Sequence, residues 1–163
     1  MVFVAPDDPL AGGLVDFLTE RGVKAFGPVK KAAMLEASKA FAKEFMARHG
    51  IPTAAYRAFD DFEDAEEYAK NCDLPVVVKA DGLALGKGVV ICRTRQEVFD
   101  ALKSVMVDLK FGENAGRKVV MEEFMTGREV TVLAFCDGKT LLPMPASQDH
   151  KKAYDGDKGA NTG

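Results

Sequence analysis

Two lysines on a glycine-bearing segment are the residues whose types and spacing most clearly point to chemistry. The stretch VVVKADGLALGKGVVIC, residues 76–92, places Lys79 at the end of an apolar run and Lys87 between two glycines. Glycines let backbone amides approach an anion closely, and ammonium groups are charge-assisted donors to phosphate oxygens. The segment is therefore a candidate phosphate-binding loop, although a flexible hairpin with two solvated lysines fits the same residues equally well.

Two familiar phosphate motifs do not match this loop. A P-loop has four residues between its glycines, whereas three residues separate Gly82 from Gly86. It also has a hydroxyl residue after the lysine, whereas Gly88 follows Lys87. The dinucleotide motif GxGxxG, begun at Gly86, would need glycine where Ile91 stands. Both motifs open a helix, whereas the apolar residues on either side here predict a loop between two antiparallel strands.

A second segment, VVMEEFMTGREVTV at residues 119–132, predicts two strands joined by a short connector. Such a connector exposes backbone donors and acceptors that can pair with the edge of an adenine ring. A carboxylate shortly after it, such as Glu129, can accept hydrogen bonds from both ribose hydroxyls. Glu122 and Glu123 could equally form an exposed strand end, but the two segments together favour a nucleotide site.

The elements that must position these motifs predict an α/β chain. Strands are expected over 2–5, 23–26, 54–59, 75–79, 89–92, 118–124, 129–138 and 139–144. Helices are expected over 10–18, 30–37, 38–49, 62–70 and around 94–105. No regular element is expected after 146. Asp61 is a candidate N-cap, and Thr94 with Glu97 has the spacing of a capping box. Lys39 and Lys43 lie four apart on one helix, so a solvated face is the default expectation for both.

Composition excludes several classes of protein. Hydrophobic residues make up 47% and charged residues 29% of the chain, which predicts a packed core. The net charge of −3 argues against a nucleic-acid partner. Neither a membrane-spanning run nor a secretion signal is present, so we expect no membrane partner and a cytoplasmic location. The cysteines lack metal-site spacing, and we expect Cys72, Cys92 and Cys136 to be buried as small apolar residues.

Four segments, SKAF, VVVKADGLALGKGVVI, VVMEEFMTGREVTV and SQDHKKAYDGDKGANTG, together resemble the phosphoribosylamine-glycine ligase family of the ATP-grasp superfamily. The resemblance implies an ATP-grasp lid domain at 51–127. This lid would lie between the end of a Rossmann-like N-terminal domain with linker helices, 1–50, and the start of the central ATP-grasp domain, 128–163. It also implies ATP-dependent ligation of glycine to 5-phosphoribosylamine, with Mg²⁺ or Mn²⁺ held by ligands outside this chain. We therefore expect a fragment that keeps part of the ATP site and is inactive as a ligase alone.

The resemblance also assigns site residues. Lys39, Lys79 and Lys87 are the expected catalytic cations. The residues expected to bind ATP are Lys39, Lys79, Asp81, Gly82, Ala84, Gly86, Lys87, Gly88, Val89, Glu122, Glu123, Met125 and Glu129. Those expected to bind the small-molecule substrates are Asp149, His150, Lys151, Asn161, Thr162 and Gly163. Within this set the carbonyl of Glu123 and the amide of Met125 would hold adenine, with Glu122 supporting them.

Three other functions fit parts of the same pattern. Another ATP-grasp ligase or carboxylase would share the loop and the connector. A nucleotide-binding module would bind ATP without acting on glycine, and a purely structural α/β domain would tolerate loss of Lys79 and Glu129. The sequence does not predict an oligomeric state.

Overall fold

The structure, a computed structural model, describes residues 1–84, 87–148, 152–156 and 158–161. The chain divides into a first compact unit, Met1–Met125, and a second, Thr126–Gly163. Strands and helices are mixed along the chain, so the predicted α/β class is confirmed. In the described ranges, no helix is both long and apolar enough to cross a lipid bilayer.

The first unit begins with a small parallel sheet and two short helices. These elements are β1 (Val2–Phe3), α1 (Asp7–Gly12), α2 (Leu14–Glu20) and β2 (Ala25–Phe26). The sequence predicts one helix over 10–18, and this prediction is wrong. The chain turns at Gly13 with a φ of +91°, a left-handed conformation that glycine adopts without steric cost and that interrupts the helix.

Two helices then lead to the main sheet, in the places that the sequence predicts. They are α3 (Lys30–Ala37) and α4 (Lys39–Arg48). Ser38 lies between them, and its hydroxyl oxygen accepts a hydrogen bond of 3.1 Å from the backbone N–H of Phe41. This N-cap satisfies one of the free donors at the start of α4. After α4 the chain turns at Gly50, which has a φ of +65°.

A four-stranded antiparallel sheet forms the middle of the first unit. Its strands are β3 (Tyr56–Phe59), β4 (Val76–Ala80), β5 (Val89–Cys92) and β6 (Val119–Glu123). Their spatial order is β3, β6, β4, β5. The antiparallel pairing of β4 with β5 confirms the prediction that the lysine-bearing loop joins two antiparallel strands.

Side chains alternate across each strand, so the register divides this sheet into two faces. One face packs against α5 (Phe62–Ala69) and α6 (Arg95–Leu102) to form the hydrophobic core. Its buried strand residues are Val76, Val78, Ala80, Cys92, Val119 and Met121. The opposite face carries Lys79 and Glu122. Val77, Val120 and Glu122 on this opposite face are buried as well, so a ligand can reach it at its partly exposed part around Lys79.

Local capping signals fix the starts of both core helices as predicted. The carboxylate of Asp61 accepts a 3.0 Å hydrogen bond from the backbone N–H of Asp64 at the start of α5. Thr94 and Glu97 form the capping box at the start of α6, each side chain accepting from a backbone N–H of the other. These contacts need no distant residue, which is why the sequence is sufficient to predict them.

Two elements follow α6, of which the first falls partly within the helix predicted around 94–105 and the second is not predicted by the sequence. A π-helical turn, Lys103–Val107, continues the helix, and a short helix α7 (Glu113–Gly116) precedes β6. Gly116 packs against the turn so closely that a Cβ there would lie 2.5 Å from the carbonyl oxygen of Val105. Glycine is required at 116 by this close approach of two backbones.

The described residues of the second unit form two antiparallel strand pairs and an isolated bridge between Thr131 and Ser147. Its strands are β7 (Ala134–Cys136), β8 (Leu141–Pro143), β9 (Lys152–Tyr154) and β10 (Lys158–Asn161). The predicted strand over 129–138 is therefore too long, and the expectation of no regular element after 146 is wrong. Both errors concern two-stranded hairpins, whose short strands give little apolar periodicity to read.

The cysteine prediction is confirmed at two of three positions. Cys72 and Cys92 are buried in the first unit, and burial raises the pKa of the Cys92 thiol to about 11. Cys136 is exposed on β7, so the prediction is wrong there. Within the described residues β7 pairs with β8 alone, and such a ribbon has no packed layer to bury it.

Candidate functional site

Lys79 and Glu122 form an ion pair on the face of the main sheet opposite the hydrophobic core. Val77 pairs with Glu122 across β4 and β6, so Lys79 lies two residues further along the same face. The Nζ atom of Lys79 donates to Oε2 of Glu122 at 2.8 Å. The Lys79 side chain is 26% exposed and that of Glu122 is 7% exposed. The ammonium side of the pair is thus the one that solvent or a ligand can reach.

A second lysine contacts the same carboxylate oxygen. Nζ of Lys43, on α4, lies 3.1 Å from Oε2 of Glu122. It also donates to the hydroxyl of Thr53 at 2.8 Å and to the carbonyl of Ala54 at 3.2 Å. Its side chain is only 8% exposed, so the expected solvated face is wrong for this lysine. Sequence reasoning missed Lys43 because its carboxylate partner lies on a distant strand.

Lys39 approaches the start of the glycine-bearing loop from the first turn of α4. Its Nζ donates to the carbonyl of Gly82 at 3.0 Å and lies 3.5 Å from that of Asp81. Burial lowers the pKa of Lys39 below its ordinary value. The carboxylates of Asp81 and Glu36 oppose this shift, and the ammonium group of Lys79 adds to it. The ammonium group of Lys79 is therefore close enough to Lys39 to affect its pKa.

Asp81 joins this loop to the N-terminus of α4. Its carboxylate accepts hydrogen bonds from the Ser38 hydroxyl at 3.0 and 3.1 Å and from the backbone N–H of Ala40 at 2.6 Å. Its carbonyl accepts from the backbone N–H of Lys39 at 3.2 Å. A carboxylate suits the partly positive end of a helix. Asp81 thus fixes the loop relative to Lys39, and its expected contact with a nucleotide stays a prediction.

Close packing accounts for the glycines at both ends of the loop. A Cβ at Gly82 would lie 2.9 Å from Cα of Ala115, and one at Gly88 would lie 2.8 Å from Cβ of Ala84. The carbonyl of Gly88 also accepts a 2.8 Å hydrogen bond from the backbone N–H of Ala80. The base of the loop is therefore held firmly against the rest of the first unit.

An apolar strip lies beside the Lys79 ammonium group. Val89 pairs with Lys79, and Ile91 pairs with Val77, so both lie on the Lys79 face of the sheet. They are 44% and 49% exposed. Lys87 precedes them and is also exposed. Partly exposed aliphatic side chains next to ammonium groups suit a flat ring that carries a phosphate chain.

The connector that is predicted to hold adenine begins directly after β6. The backbone N–H of Glu123 donates to the carbonyl of Ala55 at 2.9 Å. The carboxylate of Glu123 accepts from the backbone N–H of Ala55 at 3.2 Å. The ring of Phe124 lies 5.7 Å from the guanidinium carbon of Arg93, and the side chain of Met125 is 66% exposed. These contacts anchor the start of the connector, while the adenine contacts of Glu123 and Met125 stay predictions.

The structure does not bring all predicted site residues together in one unit. The first unit contains most of them: Lys39, Lys79, Asp81, Gly82, Ala84, Lys87, Gly88, Val89, Glu122, Glu123 and Met125. Glu129 and Asn161 belong to the second unit. The predictions at Gly86, Asp149, His150, Lys151, Thr162 and Gly163 fall outside the described residues. Among the residues described, no three His, Cys, Asp or Glu side chains are grouped so that they could hold a metal ion.

A cleft of about 540 Å³ lies at the base of the loop, between α1, α3 and α7. Asp81 and Gly82 line it, but neither Lys39 nor Lys79 does. It is also lined by Asp8 and Glu113, whose carboxylates would repel a phosphate. The ammonium groups and the apolar strip are therefore the better candidate for a nucleotide site, despite the size of this cleft.

Comparison with known proteins gives matches over the whole chain. Residues 1–36 match the phosphoribosylglycinamide synthetase N domain, and residues 37–163 match the phosphoribosylglycinamide synthetase ATP-grasp (A) domain. The chain is 53% identical to the phosphoribosylamine-glycine ligase of Streptococcus pneumoniae serotype 4 over 161 residues, which are 99% of this chain and 38% of that protein. It is 50% identical to a bifunctional purine biosynthetic protein of Dictyostelium discoideum, covering 99% of this chain and 20% of that one.

A solved structure matches as well. The crystal structure of phosphoribosylamine-glycine ligase from Thermotoga maritima superposes with a TM-score of 0.80 at 38% identity, over 92% of this chain and 38% of that one. The chain thus spans a little over a third of the length of these ligases. The matches agree with the resemblance carried by the four sequence segments.

Proposed function

Because this chain belongs to the phosphoribosylglycinamide synthetase family, we propose that it supplies part of the nucleotide site of a longer ligase of purine synthesis. That ligase would join glycine to 5-phosphoribosylamine, giving glycinamide ribonucleotide, ADP and phosphate. The observation that carries the proposal is the Lys79–Glu122 pair beside the exposed strip of Val89 and Ile91. It places a reachable cation next to an apolar surface, as an adenine nucleotide needs.

The residues of the first unit would bind and orient ATP. Lys39, Lys79 and Lys87 would donate to phosphate oxygens. Val89 would lie against the adenine ring, whose edge would meet the carbonyl of Glu123. Positioning and preorganised charge of this kind provide most of the catalysis in phosphoryl transfer.

The proposed reaction needs no covalent bond to the protein. A carboxylate oxygen of glycine attacks the γ-phosphorus of ATP, and ADP leaves. The amine of phosphoribosylamine then attacks the carbonyl carbon of the resulting acyl phosphate, phosphate leaves and the amine loses a proton. A divalent cation, Mg²⁺ or Mn²⁺, supplies charge neutralisation in such transfers. The family resemblance, rather than the structure, supports assigning the ligands of this cation to other parts of the ligase.

The remaining site assignments complete this proposal. Glu129 would accept the ribose hydroxyls, and the segments 149–151 and 161–163 would face glycine and phosphoribosylamine. We retain the division into 1–50, 51–127 and 128–163 as part of the same proposal. The second candidate is a nucleotide-binding module without ligase activity. Such a module would bind ATP without glycine-dependent ADP release.

A chimaeric enzyme tests the function. In the Streptococcus pneumoniae ligase, this chain would replace the matching 161 residues, to which it is 53% identical. We expect ADP release that depends on both glycine and phosphoribosylamine, because the acceptor and metal sites are then present. The 163-residue chain alone should give no glycine-dependent ADP release. A chimaera that folds and binds ATP but releases no ADP with glycine would favour the nucleotide-binding module. Glycine-dependent ADP release by the chain alone would contradict the proposal that this chain supplies only part of the site.

A further inference from the structure

We propose that Lys43 is a positioning residue that acts through Glu122 to keep the ammonium group of Lys79 available to an anionic ligand. The inference deepens the proposed function, because the anion would be a phosphate group of the nucleotide. Lys43 itself would not touch that ligand. Its role would be to neutralise the carboxylate that otherwise holds Lys79.

The contacts of Lys43 explain why it cannot serve as a ligand-binding lysine. A lysine ammonium group has three N–H donors. Those of Lys43 have three acceptors within reach: the hydroxyl of Thr53, the carbonyl of Ala54 and Oε2 of Glu122. With its side chain 8% exposed, Lys43 has neither a spare donor nor a path to solvent. Its charge can therefore act only on its neighbours.

The charges of the cluster show what that effect would be. Lys43, Glu122 and Lys79 together carry a net charge of +1, since two ammonium groups share one carboxylate oxygen at 3.1 and 2.8 Å. Without Lys43, Lys79 and Glu122 would form a neutral pair with a buried carboxylate, which would hold the Lys79 ammonium group more strongly. With Lys43 present, the carboxylate keeps a partner when Lys79 turns to another anion. The excess positive charge is carried by Lys79, which is 26% exposed.

The arrangement of elements supports this division of roles. Lys43 comes from α4, whose buried positions are Ala40 and Lys43, and Glu122 comes from the central strand β6. Lys79 is the member nearest the apolar strip, because it pairs directly with Val89. The inner lysine is thus fixed by the fold, and the outer lysine is placed where a nucleotide would lie.

The first experiment needs no nucleotide. Lys79 acylation by an amine-reactive reagent is followed by mass spectrometry in the wild-type chain and in Lys43→Met. We expect acylation to slow at least about threefold in the variant, because Lys79 is then held by Glu122 alone. Lys43→Gln removes the charge but keeps an N–H donor for Thr53 and Ala54. It replaces Lys43→Met in this experiment if Lys43→Met does not fold. Lys70→Met, which removes a lysine from the exposed ion pair with Glu67, is the matched control and should leave the rate unchanged.

A double-variant comparison shows whether Lys43 acts through Glu122. In a Glu122→Gln background the carboxylate is gone, so Lys43→Gln should no longer slow acylation of Lys79. A merely structural role would slow or accelerate acylation equally in both backgrounds. Unchanged Lys79 acylation in folded Lys43→Gln, or the same change with and without Glu122, would overturn the inference.

A second experiment measures ligand binding by calorimetric titration with ATP and with adenosine. Lys43→Gln should weaken ATP binding about tenfold and leave adenosine binding within about twofold, because adenosine carries no phosphate. Equal loss for both ligands would contradict the inference. The same titration of the chimaeric ligase with and without Lys43→Gln covers the case in which the chain alone binds no ATP. A chimaera that binds no ATP contradicts the proposed function, while the acylation experiment still decides the role of Lys43.

Discussion

Replacing Glu122 by leucine is expected to lower the free energy of unfolding by about 3–5 kcal/mol, because the change leaves the buried ammonium group of Lys43 without its carboxylate. The Glu122 side chain is 7% exposed and that of Lys43 is 8% exposed, so water cannot take over the lost interaction. Lys79 is less affected, since its side chain can turn towards solvent. Urea denaturation of the wild-type and Glu122→Leu chains measures the difference.

A double variant provides the control for this prediction. In Lys43→Met with Glu122→Leu, both buried charges are replaced by apolar groups of similar size, which is often neutral for stability. We expect its free energy of unfolding to lie within about 1 kcal/mol of wild type. If Glu122→Leu alone unfolds at the same urea concentration as wild type, the buried Lys43–Glu122 ion pair does not contribute to stability.

Replacing Lys79 by methionine is expected to weaken ATP binding about 10- to 100-fold, because a charge-assisted hydrogen bond to phosphate contributes about 1.5–3 kcal/mol. The fold should survive, since Glu122 keeps Lys43 as a partner. Isothermal titration calorimetry with ATP measures the change in Kd. Adenosine should bind Lys79→Met and wild type within about twofold of each other.

The matched control for Lys79 is again Lys70→Met, which removes one lysine of an exposed pair beside α5. It has the same effect on net charge and should bind ATP as wild type does. Should Lys79→Met retain wild-type affinity for ATP in a chain that binds it, Lys79 would have no place in the phosphate site.

The parts of the fold that the sequence predicts well depend on neighbouring residues. Asp61 caps α5, and Thr94 with Glu97 caps α6, because each side chain meets a backbone N–H within three residues of itself. The loop between β4 and β5 is likewise predicted from the two apolar strands that flank it. Resemblance to known motifs then identifies Lys79 and Glu122, which the register places on one face.

What the sequence misses depends on contacts between distant segments. The burial of Lys43 follows from Glu122 on β6, and no local pattern on α4 indicates such a partner. The glycine at 116 is required by the carbonyl of Val105, a contact that appears only when the π-helical turn meets α7. Cys136 is exposed on the short strand β7, and composition does not reveal this exposure. In each case the deciding atoms are far apart in sequence or belong to elements too short to show periodicity.

One measurement tests the central claim most directly: titration of the isotopically labelled chain with ATP, followed residue by residue through its backbone amide NMR signals. Saturable shifts should be largest around Lys79 and the loop that follows it, along Val89–Cys92, and from Glu122 to Met125. Signals at Asp8 and Glu113, in the acidic cleft, should move little. No saturable shifts at millimolar ATP, or shifts centred on that cleft, would contradict the assignment of the nucleotide to the Lys79 face of the sheet.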